Sequence, residues 1–145
     1  MKIAMPEINL PISLDCIQPA IDFLNKHLGE NHEDLGMYVG LAVEELLVNV
    51  VKHGQKKDSQ PPSVAKIVLG CRWVNMDDSD QFSVWIKDWG KPFNPFANVK
   101  TPDITLGIEE REVGGLGVHL VKNVSTHYLY SISDGSNLIE LYFQI

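Results

Sequence analysis

The sequence has few cysteines, no long apolar run and few basic residues, and each shortage argues against a class of protein. Its two cysteines, Cys16 and Cys71, stand apart, without a CxxC pair or a histidine at ligand spacing, so a structural metal site is not expected. No apolar stretch approaches the ~20 residues of a membrane span, and the N-terminal MKIAMPEINLP lacks a signal-peptide core. We therefore expect a cytoplasmic protein with reduced thiols and no membrane partner.

Basic residues are outnumbered, since 12 Lys and Arg face 19 Asp and Glu and the formal net charge is −7. Duplex binding needs clustered Lys and Arg, so nucleic acid is not an expected partner. The same acidity is compatible with a nucleoside triphosphate, because such sites rely on backbone N–H groups and a metal ion. With 145 residues, 44% hydrophobic and 21% charged, the chain is expected to form a single domain over residues 1–145.

The most regular stretch is residues 35–54, LGMYVGLAVEELLVNVVKHG, whose apolar residues recur at the three- and four-residue steps of an amphipathic helix. Glu45, Asn49 and His53 break this pattern at steps of four, so they lie along one edge of the apolar stripe. This row is either a solvated polar stripe that ends in a cap at His53 and Gly54, or part of a site. The helix alone leaves both interpretations open.

Alternating apolar residues predict two neighbouring strands, residues 64–75 and 82–88, joined by a turn at DDSD. The alternation of the second strand places Asp88 inward. An ionised carboxylate at an inward position is costly unless a partner satisfies it. Asp88 is therefore either solvated, because the strand has already ended, or accepts a hydrogen bond from the amino group of a ligand. Gly90 would let that ligand approach the backbone.

Residues 91–113 show no sustained periodicity and carry three prolines, which is typical of a functional lid or of a disordered loop. They lead into GGLGVHLVKNV, residues 114–124, where glycines precede a short helix. A glycine-rich turn at a helix N-terminus favours phosphate, because free N–H groups and the positive end of the helix dipole meet there. Such a turn also occurs as a plain linker.

The remaining segments predict an α+β fold. A short strand at 2–10 and a helix at 15–29 precede the central helix, and a hairpin with its turn at Asp134-Gly135 ends the chain. The predicted order is strand, helix, helix, strand, strand, lid, helix, strand, strand. This order predicts a two-layer α/β sandwich, with helices packed on one face of a mixed, mostly antiparallel sheet.

The order of these segments resembles that of the GHKL ATPases, the superfamily of gyrase, histidine kinases, heat-shock chaperones and mismatch-repair proteins. The matching motifs are LAVEELLVNVVKHG, DWGKPFNP, EREVGGLGVHLVK and the ending from Tyr130 through Gly135 to Asn137, and together they cover nearly the whole chain. Within the superfamily, the chain is most similar to the anti-sigma-factor serine/threonine kinases of bacterial stress and sporulation switches. The resemblance implies the GHKL ATPase fold, with ATP and Mg²⁺ as cofactors.

The resemblance also implies a role for each polar residue of the central helix. Glu45 would be the general base, and Asn49 would coordinate the Mg²⁺ that bridges the phosphates. Because Mg²⁺ prefers oxygen ligands and keeps several waters, one amide oxygen and the phosphates can hold it without a cage of carboxylates. His53 and Lys52 would approach the ribose or the phosphates.

Two later motifs would bind the rest of the nucleotide. Asp88 matches the aspartate that binds the adenine amino group, with Gly90 beside it. The N–H groups of a second glycine box would hold phosphate as the lid closes. The box consists of Gly114, Gly115, Leu116 and Gly117.

Two functions agree with this resemblance. The first is an ATP-dependent serine/threonine protein kinase that phosphorylates a STAS-type anti-sigma-factor antagonist and, when free, sequesters a sigma factor. The second is an ATP-binding regulatory module that binds a partner but transfers no phosphate. A fragment of a sensor histidine kinase agrees less well, since a helical dimerisation region with a phospho-acceptor histidine is missing. The resemblance also implies a homodimer, with the edge of the N-terminal strand as a candidate interface.

Overall fold

The computed structural model describes residues 5–54, 66–97 and 115–145. Their helices and strands follow the predicted order, with a short 3₁₀ turn, Leu14–Cys16, before the first helix. The helices are α1 (Ile17–Leu28), α2 (Glu33–Gly54) and α3 (Gly115–Val124). The strands are β1 (Glu7–Pro11), β2 (Lys66–Met76), β3 (Ser79–Asp88), β4 (His127–Ser133) and β5 (Ser136–Gln144).

The five strands form one sheet in the order β1-β2-β3-β5-β4, with the helices packed on one face. Every strand pairing in the described part of the chain is antiparallel. The predicted α+β sandwich is therefore confirmed, with an antiparallel sheet rather than a mixed one. None of the described helices is long and apolar enough to span a membrane.

Two tight turns set the register of this sheet. Asp134 and Gly135 between β4 and β5 have φ angles of 50° and 80°, and Asp77 and Asp78 between β2 and β3 have φ angles of 51° and 64°. Positive φ at both central residues belongs to the type I′ turn, whose twist matches that of the flanking strands. The predicted Asp134-Gly135 turn is confirmed, and the register that it sets brings Asn137 of β5 opposite Asp88 of β3.

Helix α2 lies at the centre of the core. Its predicted apolar stripe is buried and joins the inward residues of β2, β3 and β5 in one cluster. Burial of each Val or Leu side chain contributes about 1.5–3 kcal/mol, so the stripe fixes the rotation of α2 about its axis. As a result, Glu45, Asn49 and His53 lie at the margin of the core, where each is half-buried rather than fully solvated.

The outer face of the sheet contains one tight contact between neighbouring strands. Gly70 of β2 lies under the indole of Trp85 of β3, and a Cβ at Gly70 would overlap that ring. The indole Nε1 in turn donates a hydrogen bond of 2.8 Å to Glu7 Oε2 on β1. The absence of a side chain at Gly70 therefore lets Trp85 lie flat across the sheet and reach the edge strand.

Candidate functional site

A cleft of about 350 Å³ lies between the C-terminal half of α2 and the end of β3. The lining comes from α2, from the end of β3 with the segment after it, and from β5. It consists of Leu46, Asn49, Val50, His53, Asp88, Gly90, Lys91, Phe93, Pro95, Asn137 and Ile139. Four of the residues predicted for the site thus meet in one cleft: Asn49, His53, Asp88 and Gly90.

Asp88 is the last residue of β3 and is only 7% exposed, so the strand continues to it and the carboxylate faces inward. Its Oδ1 accepts hydrogen bonds from Gly90 N–H at 2.9 Å and from Asn137 Nδ2 at 3.1 Å. Among the described residues, none donates to the second oxygen, Oδ2. Asp88 is slightly exposed and lines the cleft, so its carboxylate is open to that space. It can accept a hydrogen bond from a ligand in the cleft.

Asn137 holds this carboxylate in place and is itself 4% exposed. Its side-chain amide has five hydrogen-bond partners: the two hydrogens of Nδ2 are shared among Asp88 Oδ1 (3.1 Å), Gly90 O (3.3 Å) and Lys91 O (3.2 Å), while Oδ1 accepts from Phe93 N–H (3.2 Å) and from the Tyr130 hydroxyl. Asn137 belongs to one of the motifs that carry the family resemblance, but that resemblance implies no role for it. A signal was present, because the inward alternation of the last strand extends back to position 137.

His53 forms one wall of the cleft by stacking on Phe93, with ring centroids 4.1 Å apart and an angle of 29° between the ring planes. The stack joins the end of α2 to the segment after β3. Lys52 is exposed and is not part of the lining, so its approach to the ribose or the phosphates stays a prediction. Consecutive residues of a helix point in different directions, so the turn that brings His53 to the cleft carries Lys52 away from it.

Glu45 meets the beginning of α3 one helical turn before Asn49. A Cβ added at Gly117 would overlap the Glu45 carboxylate and would lie 3.1 Å from its Cγ. The missing side chain at Gly117 therefore makes room for the carboxylate beside the first turn of α3, where a helix has N–H groups without intrahelical partners. Glu45 and Gly117 adjoin the cleft but are not among the residues that line it.

The other residues of the glycine box stand at the same helix start. Gly115 and Leu116 are the first residues of α3. Gly114 lies outside the described residues, as do residues 98–113 of the expected lid. The phosphate-binding role of this box therefore stays a prediction.

The donor groups of the cleft suit a metal ion that is shared with a ligand. In the described part of the chain, no group of three His, Cys, Asp or Glu could hold a metal ion by itself. Burial raises the pKa of the Cys71 thiol to about 12 and also raises that of Cys16, so neither offers a thiolate at neutral pH. The Asn49 amide oxygen fits Mg²⁺, which is usually bound through one or two protein groups and the phosphates of a substrate.

The chain is similar to a known protein family and to a solved structure. A family model described as a histidine kinase-like ATPase domain matches residues 11–143, a range that includes every residue of the cleft. Among solved structures, the chain is similar to the histidine kinase domain of the Erythrobacter litoralis EL346 blue-light activated histidine kinase. The two share 15% sequence identity with a TM-score of 0.48, over 99% of this chain and 69% of that chain. No curated protein matches the chain.

Proposed function

The chain belongs to the histidine kinase-like ATPase domain family, and we propose that it binds Mg-ATP in the cleft between α2 and β3 and transfers the γ-phosphoryl group to a serine or threonine of a partner protein. The observation that supports this most directly is the pairing of two features in one cleft. One end of the cleft has the inward Asp88 carboxylate, whose Oδ2 accepts no hydrogen bond from the described residues. The other end has Asn49 of α2, one turn after Glu45, which contacts the start of α3.

Asp88 recognises the base in this proposal. Its Oδ2 accepts a hydrogen bond from the exocyclic amino group of adenine, while Leu46 and Ile139 supply apolar surface on the same cleft. Guanine carries a carbonyl oxygen at that position, so an acceptor would face an acceptor. A buried site built around one hydrogen bond discriminates strongly against a ligand that cannot form it, because the buried group is then left unpaired.

The phosphate end uses Asn49 and Glu45, which are one turn apart on α2. Asn49 would hold Mg²⁺ through its amide oxygen, and the ion would supply positive charge that offsets that of the phosphates. Glu45 accepts the proton of the attacking hydroxyl as the new oxygen–phosphorus bond forms and ADP leaves. The start of α3 stands beside Glu45, where its N–H groups can bind phosphate oxygens.

The proposed phospho-acceptor is a STAS-type anti-sigma-factor antagonist, and the free kinase sequesters a sigma factor as a homodimer. These partners rest on the likeness of LAVEELLVNVVKHG and EREVGGLGVHLVK to the anti-sigma-factor kinases. The second candidate, an ATP-binding module that transfers no phosphate, shares every binding contact and lacks only the proton transfer at Glu45.

A transfer assay separates the two candidates. The full chain is mixed with γ-labelled ATP, Mg²⁺ and a STAS-domain protein encoded by a neighbouring gene, and phosphoserine is measured. Glu45→Ala should abolish labelling. Glu44→Ala is the matched control, because Glu44 is the adjacent residue but is exposed, and it should leave the rate unchanged. ATP binding without any labelling by the unaltered chain would favour the binding module.

A further inference from the structure

The buried amide of Asn137 connects more parts of the cleft than any residue that the proposed function uses. We propose that Asn137 is a positioning residue for base recognition: it fixes the Asp88 carboxylate and the segment 90–93, so that one oxygen of defined direction remains for the ligand. The inference rests on the proposed function, since it concerns recognition of a nucleotide base in this cleft.

The hydrogen-bond partners determine which way the amide points. Nδ2 is surrounded by three acceptors, which are the Asp88 carboxylate and the carbonyl oxygens of Gly90 and Lys91. Oδ1 faces two donors, the Phe93 N–H and the Tyr130 hydroxyl. A flipped amide would place its carbonyl oxygen against three oxygens and its NH₂ group against the Phe93 N–H, which cannot accept. Only the observed orientation puts a donor beside the three oxygens and an acceptor beside the Phe93 N–H.

The bond to Asn137 gives Asp88 a fixed relation to the rest of the fold. The other bond to Oδ1 comes from Gly90, only two residues away in sequence. Such a local bond moves together with its own chain segment, so it does not fix the carboxylate relative to the rest of the fold. The bond from Asn137 comes from the neighbouring strand β5, 49 residues away in sequence. It therefore ties the carboxylate to the rigid sheet and occupies Oδ1, which leaves Oδ2 as the acceptor for a base.

The same amide also positions the wall of the cleft. Its bonds to Lys91 O and Phe93 N–H fix the path of the chain after β3. That path carries the Phe93 ring onto His53, at a centroid distance of 4.1 Å. The position of the base acceptor and the position of the aromatic wall thus depend on one side chain.

Asn137→Asp separates this role from a general contribution to folding. When ionised, the new carboxylate would face Asp88 and two carbonyl oxygens with no hydrogen to donate. When protonated, its hydroxyl could again donate to Asp88 Oδ1. Two carboxyls that face each other titrate as a pair, with one apparent pKa strongly raised. The ATP affinity of the variant, relative to that of the unaltered chain, should therefore recover as the pH falls.

Within residues 5–54, 66–97 and 115–145, the other titratable groups at this pair are His53 from α2, Lys91 from the segment after β3 and Tyr130 from β4. All three are present in the unaltered chain as well as in the variant. Their own titration therefore affects both proteins and largely cancels in the ratio of the two affinities.

The chain offers a matched control at Asn75. Its Nδ2 donates to Asp80 Oδ1 at 3.1 Å, and the two residues are directly opposite across β2 and β3, as Asn137 and Asp88 are across β3 and β5. This pair is exposed and lies at the opposite end of β3 from Asp88, outside the cleft lining. Asn75→Asp makes the same chemical change in the same kind of pair and should not alter ATP affinity at any pH.

The experiment is calorimetric titration of the full-length chain and its variants with Mg-ATP and Mg-GTP between about pH 8 and about pH 5.5. For Asn137→Asp, we expect ATP affinity at least about 100-fold below that of the unaltered chain at the alkaline end, and within about tenfold at the acidic end. Asn137→Ser is the variant to use if the aspartate variant fails to fold. It should lower the ratio of ATP to GTP affinity, which loss of stability alone would not change.

The outcomes distinguish this inference from the proposed function. No ATP binding by the unaltered chain would overturn the proposed function and this inference with it. Normal binding by the unaltered chain, together with unchanged affinity and base preference in the Asn137 variants, would overturn the inference alone. A loss of affinity in Asn137→Asp that is the same at every pH would also overturn it, since it would indicate a purely structural role.

Discussion

Gly117→Ala is expected to lower phosphoryl transfer about 100-fold while changing ATP affinity little. The added methyl group would overlap the Glu45 carboxylate and lie 3.1 Å from its Cγ. Non-bonded carbon atoms separate to about 3.5–4.0 Å, so the carboxylate must move by roughly 1 Å or more. A displacement of about 1 Å in a reacting group can reduce a rate about 100-fold. The alanine keeps its backbone N–H, so the contact that is proposed for phosphate is retained.

The stability of the variant should change little. Alanine is favoured over glycine in a helix by about 1 kcal/mol, and the group that it displaces is the end of a flexible side chain. We therefore expect the free energy of unfolding to stay within about 1 kcal/mol of the original value, as measured by urea denaturation. A large loss of activity without a loss of stability would then report on the position of Glu45.

The assay compares transfer rates and ATP affinities for three variants. Gly40→Ala is the control, because it lies in α2 and a Cβ there meets nothing within 4 Å. Combining Gly117→Ala with Glu45→Asp shortens the acid by one methylene and should restore part of the rate. Full activity in Gly117→Ala, or an equal loss in Gly40→Ala, would refute the reasoning.

Three further predictions concern the outer face, the base and a buried thiol. Gly70→Ala should lower the free energy of unfolding by about 1–3 kcal/mol, because its Cβ would overlap the Trp85 indole; an unchanged urea midpoint would contradict this. Asp88→Asn should lower the affinity for ATP about tenfold or more and the affinity for GTP less. If calorimetry gives the same ATP affinity before and after the change, Asp88 does not recognise the base. Burial raises the Cys71 pKa from 9.0 to about 12, so between these values the unfolded thiol loses its proton and the folded one keeps it. The contribution of Cys71 to the free energy of unfolding should therefore fall as the pH rises through that window. Thiol labelling at about pH 8 should be much slower in the native state than in urea. Equal labelling rates would count against the burial of Cys71.

Local periodicity was sufficient to predict the elements that position the site. The spacing of apolar residues in α2 reflects a helix that must bury one stripe, and the structure buries that stripe. The two-residue alternation of β3 placed Asp88 inward, and this prediction is confirmed because the strand continues to Asp88 itself. Both predictions depend on contacts that repeat along the chain at a fixed step, which a sequence shows directly.

Contacts between distant segments could not be predicted in the same way. The role of Asn137 depends on the register between β3 and β5, which pairs residues 49 apart in sequence. The contact of Glu45 with Gly117 depends on how α3 packs on α2. The buried face of α2 likewise determines where Lys52 lies, which is exposed and outside the cleft lining, and its approach to the ribose or the phosphates stays a prediction. In each case, packing across the fold decides what sequence spacing leaves open.

The central claim is that α2, the end of β3 and the start of α3 act on one adenine nucleotide. It is tested most directly by a titration of the ¹⁵N-labelled chain with Mg-ATP, followed by the shifts of assigned amide resonances. We expect the amides of Asn49, Gly90 and Gly117 to shift together and to give a single dissociation constant. Shifts confined to other surfaces, or different dissociation constants for α2 and for α3, would contradict the claim.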